Sequence, residues 1–342
     1  MRLRHTYLKR TVALIIAFIG VVVYALFMPM AIPEDGTVFY VQPGISRANL
    51  VQELAKNKCI RFTPIFGAFT LLRGKVPQSG EYLFTRWSSP YTMWKQIITG
   101  KGRYYRAFTI IPGTTFKQIK ATLQDETTFK HLITEMSDKE VMEMLGDATH
   151  APEGMFLPET YYYSRGDSDL VMLKRAYDLM ASKLKEAWDG RDKDLPYKDA
   201  YHALIAASLI EEEAYLSKEQ SVIGGVLVNR LRINMPLQFD PTVIYGMGDA
   251  YQGKIFKTDL TTDTPYNSYL HTGLPPTPIS MPGLSAINAA MHPDQHGYLY
   301  FVAAGDGSHT FTTNLQDHKE AVLRLRETTQ PSTVTGAANV ES

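Results

Sequence analysis

The run from Val12 to Ile32 contains no charged residue. As a helix rising ~1.5 Å per residue, its ~20 residues cover the ~30 Å hydrocarbon core of a bilayer. It is apolar on every face, which a helix resting on a soluble domain is not. Arg2, Arg4, Lys9 and Arg10 precede it, and Glu34-Asp35 come after it. That asymmetry places residues 1–11 in the cytoplasm and the chain beyond residue 32 outside. A cleaved signal peptide is the competing reading, but the run is long for an apolar signal core and no small-x-small site closes it. The expectation is a single-pass anchor over 12–32 in the cytoplasmic (inner) membrane, with the rest of the chain periplasmic or otherwise extracytoplasmic.

The chain has 342 residues, enough for about two domains. A hydrophobic share of 44% against 20% charged residues allows a real core. Lys+Arg and Asp+Glu both number 35, so no net field draws the chain to nucleic acid. Cys59 is the only cysteine, which excludes an internal disulfide and a thiolate metal cluster.

After the anchor, Thr37–Gln42 reads as a strand and Ser46 caps a helix running to about Lys56. A second short helix over Arg61–Arg73, a strand at EYLF, a helix opened by Ser89-Pro90 and closed by Gly100, and a strand over Ala107–Ile111 complete a small α/β module at 37–111. Its aromatics, Tyr82, Trp87, Tyr91, Trp94, Tyr104 and Tyr105, either fill a small core or stack on sugar rings. Residues 112–327 form a larger α+β domain. Two helices fall within Thr114–Gly146, and APEGMFLPETYYY (Ala151–Tyr163) reads as a connecting loop or the wall of a groove. An amphipathic helix covers Asp169–Trp188. Leu231–Gly283, rich in Pro, Gly, Tyr and Thr, reads as largely irregular chain of the kind that lines binding sites. Next come a helix at Ser285–Met291, a hairpin of Tyr298–Ala303 with His309–Thr312, and a helix at Leu315–Glu327. The tail from Thr328 reads as disordered.

The chemistry concentrates in Tyr201–Arg230. An apolar run, Ala203–Ile210, ends in Glu211, Glu212 and Glu213. Residues two apart on a helix differ by ~200°, so Glu211 and Glu213 point to nearly opposite sides. Glu213 lies over Leu209 and Ile210 and sits at the helix end, where a groove can reach it. Burial raises a carboxyl pKa, and a carboxyl kept neutral is what a general acid needs. A solvated acidic helix terminus is the plainer alternative. Asp240, in QFDPTVIYG, is a possible second carboxylate or a turn former. None of the nine His residues stands in a tight ligand spacing, so no metal and no other cofactor is expected. No GxSxG, Walker A or GxGxxG sequence is present.

The segments SLIEEEA, VLVNRLRINMPLQFDPTVIYGMG, TPYNSY, TGLPPTPISMPG and YLYFVA, in this order, resemble the MltG (YceG-like) endolytic murein transglycosylases. The resemblance implies a membrane-anchored enzyme that cuts peptidoglycan glycan strands at the MurNAc-GlcNAc bond and leaves 1,6-anhydro-MurNAc ends, terminating glycan elongation. It implies a LysM-like module over 37–111, and cell-wall synthases as partners. It places the catalytic acid at Glu213, with Glu211 as the fallback. The amides, hydroxyls and aromatic faces of the loops around Gln238–Tyr245 and Tyr266–Pro276 suit N-acetylated sugars, which makes Asn229, Gln238, Tyr245 and Asn267 candidate groove contacts or, equally, structural residues. This chain has Glu-Glu-Glu-Ala where the family commonly has Glu-Lys-Glu and then Thr. The alternatives are a muramidase-type hydrolase using Glu213 and Asp240, and a non-enzymatic scaffold that binds glycan.

Overall fold

The structure, a computed structural model, describes residues 2–214 and 216–329. The expected tail, apart from its first two residues, lies outside the described residues. Helix α1 spans Arg2–Phe27. Among the described residues it is the one helix long and apolar enough to cross a membrane. It stops short of the expected Ile32. Pro29 lacks the amide donor a further turn requires and steers Met28 out of helical geometry. The chain then runs extended, and Met30 N donates to Ser88 O at 2.9 Å. Ala25, Leu26 and Met30 are buried.

The chain divides into two compact units: residues 1–107 with 162–166, and residues 108–161 with the chain from 167 onward. In the first, α1 is succeeded by β1 (Thr37–Val41), α2 (Arg47–Lys56), α3 (Thr63–Arg73), β2 (Gly80–Phe84) and α4 (Pro90–Thr99). β1 and β2 are antiparallel, with Thr37 opposite Phe84 and Val41 opposite Gly80. Ser46 caps α2, and Ser89 caps α4 in a reciprocal box with Thr92. Phe39, Leu50, Leu54, Phe66, Phe84 and Ile97 form the core with Tyr82 and Trp94. Those two aromatics are therefore packing residues, whereas Trp87 and Tyr105 are exposed. β3 (Arg106–Thr109) pairs with β4 (Thr160–Tyr163), and the division between the units runs through both strands. β4 lies inside the segment expected to be a connecting loop.

The second unit holds α5 (Phe116–Asp125), α6 (Asp138–Leu145), α7 (Asp169–Gly190), α8 (Ala200–Glu213), α9 (Gln220–Arg232), α10 (Asp240–Met247), α11 (Leu284–Met291), β5 (Tyr300–Ala303), β6 (His309–Thr312) and α12 (Leu315–Thr329). Helix α8 is its centre. Every residue from Ala203 to Ile210 is buried, and α7, α9, α10 and α11 pack around it. α9 and α11 approach closely at Gly224, where a Cβ would lie 2.8 Å from Ala289 O. α10 lies inside the stretch expected to be irregular. The rest of that stretch is pinned by polar side chains. Ile279 N donates to Ser208 Oγ on α8 at 3.1 Å. The buried Arg230 guanidinium donates to Leu299 O at 2.6 Å and to Leu237 O. The molecule is thus a mixed α+β chain with one apolar N-terminal helix.

Candidate active site

α8 is capped at its start by Asp199, which accepts from His202 N at 2.9 Å. At its other end nothing basic stands in the last turn, and the three glutamates meet the negative pole of the helix. A cavity of about 500 Å³ opens there. It is lined by Pro112, Gly113, Thr114, Gln118, Glu211, Glu212, Glu213 and Ala214. The rim is built by backbone pairing: Gly113 N donates to Met281 O at 3.0 Å and Met281 N to Thr114 O at 2.8 Å. Gly113 has φ +81°, and a Cβ there would lie 3.1 Å from Glu212 Oε1. The positive φ is what favours glycine at this turn.

Helical phase does divide the glutamates by neighbour, although all three border one cavity. Glu211 Oε2 accepts from Gly283 N at 2.9 Å. Burial raises its pKa and this bond offsets part of the rise. Glu212 keeps much of its surface open, yet desolvation of its carboxyl raises its pKa, against a hydrogen bond with Ser280. Glu213 is partly buried. Burial pushes its carboxyl up to about 8, and the Asp240 carboxylate adds to the push. The Arg230 guanidinium opposes it, and Glu212 contributes a smaller rise. Asp240 begins α10 and is exposed. The Tyr269 hydroxyl donates to its Oδ1 at 2.6 Å.

A fourth carboxyl completes the arrangement. Glu153 is 6% exposed. Its Oε1 accepts from Phe116 N, the first amide of α5, at 2.9 Å, and its Oε2 from the Tyr245 hydroxyl of α10 at 3.0 Å. Burial raises its carboxyl to about 7 in spite of both bonds. Sequence reasoning placed Glu153 only in a possible groove wall. The signal available was an acid inside a run of apolar and aromatic residues.

The family model described as the YceG-like family matches residues 39–324. The chain belongs to this family. A Bacillus subtilis protein named endolytic murein transglycosylase is 31% identical over 299 residues, covering 82% of each chain. A Streptococcus pneumoniae protein of the same name is 28% identical over 218 residues, covering 61% of this chain and 39% of that protein. This chain therefore spans about two fifths of the pneumococcal relative. A crystal structure of a YceG-like protein from Listeria monocytogenes matches with a TM-score of 0.56 at 25% identity, over 84% of this chain and 99% of that one.

Within this YceG-like chain the expected groove residues are dispersed. Tyr245 is bound to Glu153, and its ring meets Tyr266 edge-on at 4.8 Å. Gln238 is exposed with φ +54°. Asn229 donates its amide to His296 O at 2.8 Å and Tyr298 O at 3.1 Å, and borders a separate cavity of about 240 Å³. Asn267 is fully buried and donates to Thr262 O at 2.8 Å and Leu260 O at 3.2 Å. Ala214 is buried and lines the cavity of the glutamates.

Proposed function

We propose that this chain is a membrane-anchored endolytic lytic transglycosylase in which Glu213 is the acid and then the base. The observation that carries this is the Glu213 carboxyl at the end of an apolar helix, raised to about 8 by burial and bordering an open cavity. At neutral pH such a group is mostly protonated and able to donate. Glu213 gives its proton to the glycosidic oxygen of a MurNAc-GlcNAc bond, and the C1–O bond breaks. The C6 hydroxyl of the same MurNAc attacks C1 and its proton passes to the Glu213 carboxylate. The acid is restored, no water is consumed, and the product carries a 1,6-anhydro end. Since the sugar supplies the nucleophile, one carboxyl suffices where ordinary glycosidases need two.

In this reading Tyr245 and Gln238 contact the strand, while Asn229 and Asn267 hold the framework. The β1–α2–α3–β2 unit acts as a LysM-like glycan holder. α1 crosses the cytoplasmic membrane with its basic N-terminus inside. The similarity to the Bacillus subtilis protein over 82% of both chains supports the activity.

The test is the full chain on un-crosslinked glycan strands, with products read by mass. Anhydro ends are expected, and Glu213→Gln should lower their release by ~10²–10⁴-fold, the usual contribution of a general acid. The exposed Asp240 carboxylate favours a second reading, hydrolysis with Asp240 as base or nucleophile, and reducing ends would establish it. Unchanged cleavage in Glu213→Gln would remove Glu213 from the chemistry altogether.

A further inference from the structure

The first unit leaves one apolar surface uncovered. α3 reads TPIFGAFTLLR, and its only charged residue is the last, Arg73. Phe66 and Thr70 face the core. Pro64, Ala68, Leu71 and Leu72, spaced as neighbours on one helical face, are all exposed. Leu72 is 88% exposed and Leu71 73%. The chain continues through Gly74 and Lys75 to Val76, 78% exposed, and Trp87 on the β2–α4 connection is 72% exposed. A helix apolar on its outer as well as its inner face is not built for water, and such patches mark a contact with another phase or partner.

This surface is tied to the end of α1. The Phe27 ring meets Tyr91 at 5.0 Å, and Tyr91 meets Phe69 of α3 at 6.0 Å. Tyr24 meets Phe62, the residue capping α3, at 6.4 Å. Ser88, beside Trp87, accepts from Met30. The candidate span is Thr6–Phe27, 22 residues, or ~33 Å at ~1.5 Å per residue, close to a hydrocarbon core of ~30 Å. Its last turn is already spent, since Ala25 and Leu26 are buried in protein.

We propose that the outer face of α3, with Val76 and Trp87, lies in the headgroup layer of the phospholipid bilayer that α1 crosses, with Arg73 and Lys75 reaching lipid phosphates. The proposal rests on the reading of α1 as an anchor. Trp is suited to that layer, and long cationic side chains carry their charge to it while their stems stay apolar. Continuity with α1 selects lipid over a protein partner, because the surface adjoins the end of a helix that lipid already surrounds.

The full chain is reconstituted into phosphatidylethanolamine–phosphatidylglycerol vesicles with a nitroxide on Leu72→Cys or, separately, on Ile16→Cys. Cys59 is buried, with its thiol pushed up to about 11, and stays unlabelled. Collision with dissolved oxygen reports lipid, and collision with a nickel chelate reports water. Both labels should favour oxygen over nickel several-fold relative to the same protein in urea. Ile16 in lipid with Leu72 in water overturns the proposal and leaves the anchor standing. Leu72 shielded from both agents means that protein covers the patch, which also overturns it. Ile16 in water removes the anchor and the proposal together.

Discussion

Glu213 is held between opposing charges, with Asp240 and Glu212 raising its pKa and Arg230 lowering it, while burial sets the larger part of the rise. This fixes the sign of its effect on stability. From an ordinary value of 4.5 up to about 8, the native chain keeps a proton that the unfolded chain has released. Stability from this group is therefore lost as pH rises through that interval. Glu153, raised to about 7, acts in the same direction. Thermal unfolding between pH 5 and 8 should show a falling midpoint, with a shallower slope in Glu213→Gln. Parallel slopes in the two proteins would mean that Glu213 is not shielded from water. Glu211→Gln should cost activity far less, under about tenfold, because its amide oxygen can still accept from Gly283 N. Helical phase sets these two acids nearly opposite each other, yet both border one cavity. That depends on Pro112–Thr114 and Gly283, far away along the chain.

Two elements meet through Glu153. One carboxylate oxygen holds the first turn of α5, whose Gln118 and preceding turn line the cavity, and the other holds Tyr245 on α10, the helix that begins with Asp240. Glu153→Ala and Tyr245→Phe should therefore combine non-additively in glycan cleavage, with a coupling of ~0.5–3 kcal/mol in a double-mutant cycle. Additive losses would make them independent packing sites. Farther along the same unit, Gly224→Ala should destabilise by ~1–3 kcal/mol in denaturant titration, because its Cβ would press on Ala289 O. The elements that the sequence concealed were the short ones. α10 has only 8 residues and opens with Asp-Pro, so it carries too little periodicity to stand out from turns. β4 has 4 residues, and its partner lies some fifty positions earlier. Long elements with caps were legible: Ser46, Ser89 and Gly100 each mark the end that the structure gives them. Asn267 looked like a sugar ligand because Asn is polar. It is instead the buried centre of its own loop, and residue type alone does not distinguish a group that binds a ligand from one that satisfies backbone carbonyls.

At the scale of the molecule, the mixed α+β class and the single apolar N-terminal helix were both readable. The helix's end was not, since hydropathy continues to Ile32 while hydrogen bonding stops at Pro29. The chain just past Phe27 is no slack linker. Arg61 donates to Met28 O at 3.0 Å and to Pro29 O, and its guanidinium lies 5.2 Å from the Tyr24 ring. The last carbonyls of α1 are thus fastened to the rest of the first unit, as a basic side chain fastens a helix end. A flexible connection would give that unit a reach growing with the square root of its length. Here the leash has no length. If α1 crosses a bilayer as proposed, the unit can drift and turn with the lipid but cannot rise from it. If that unit also holds glycan as proposed, its distance from the bilayer becomes a ruler for the strand, built into residues 24–30 and Arg61.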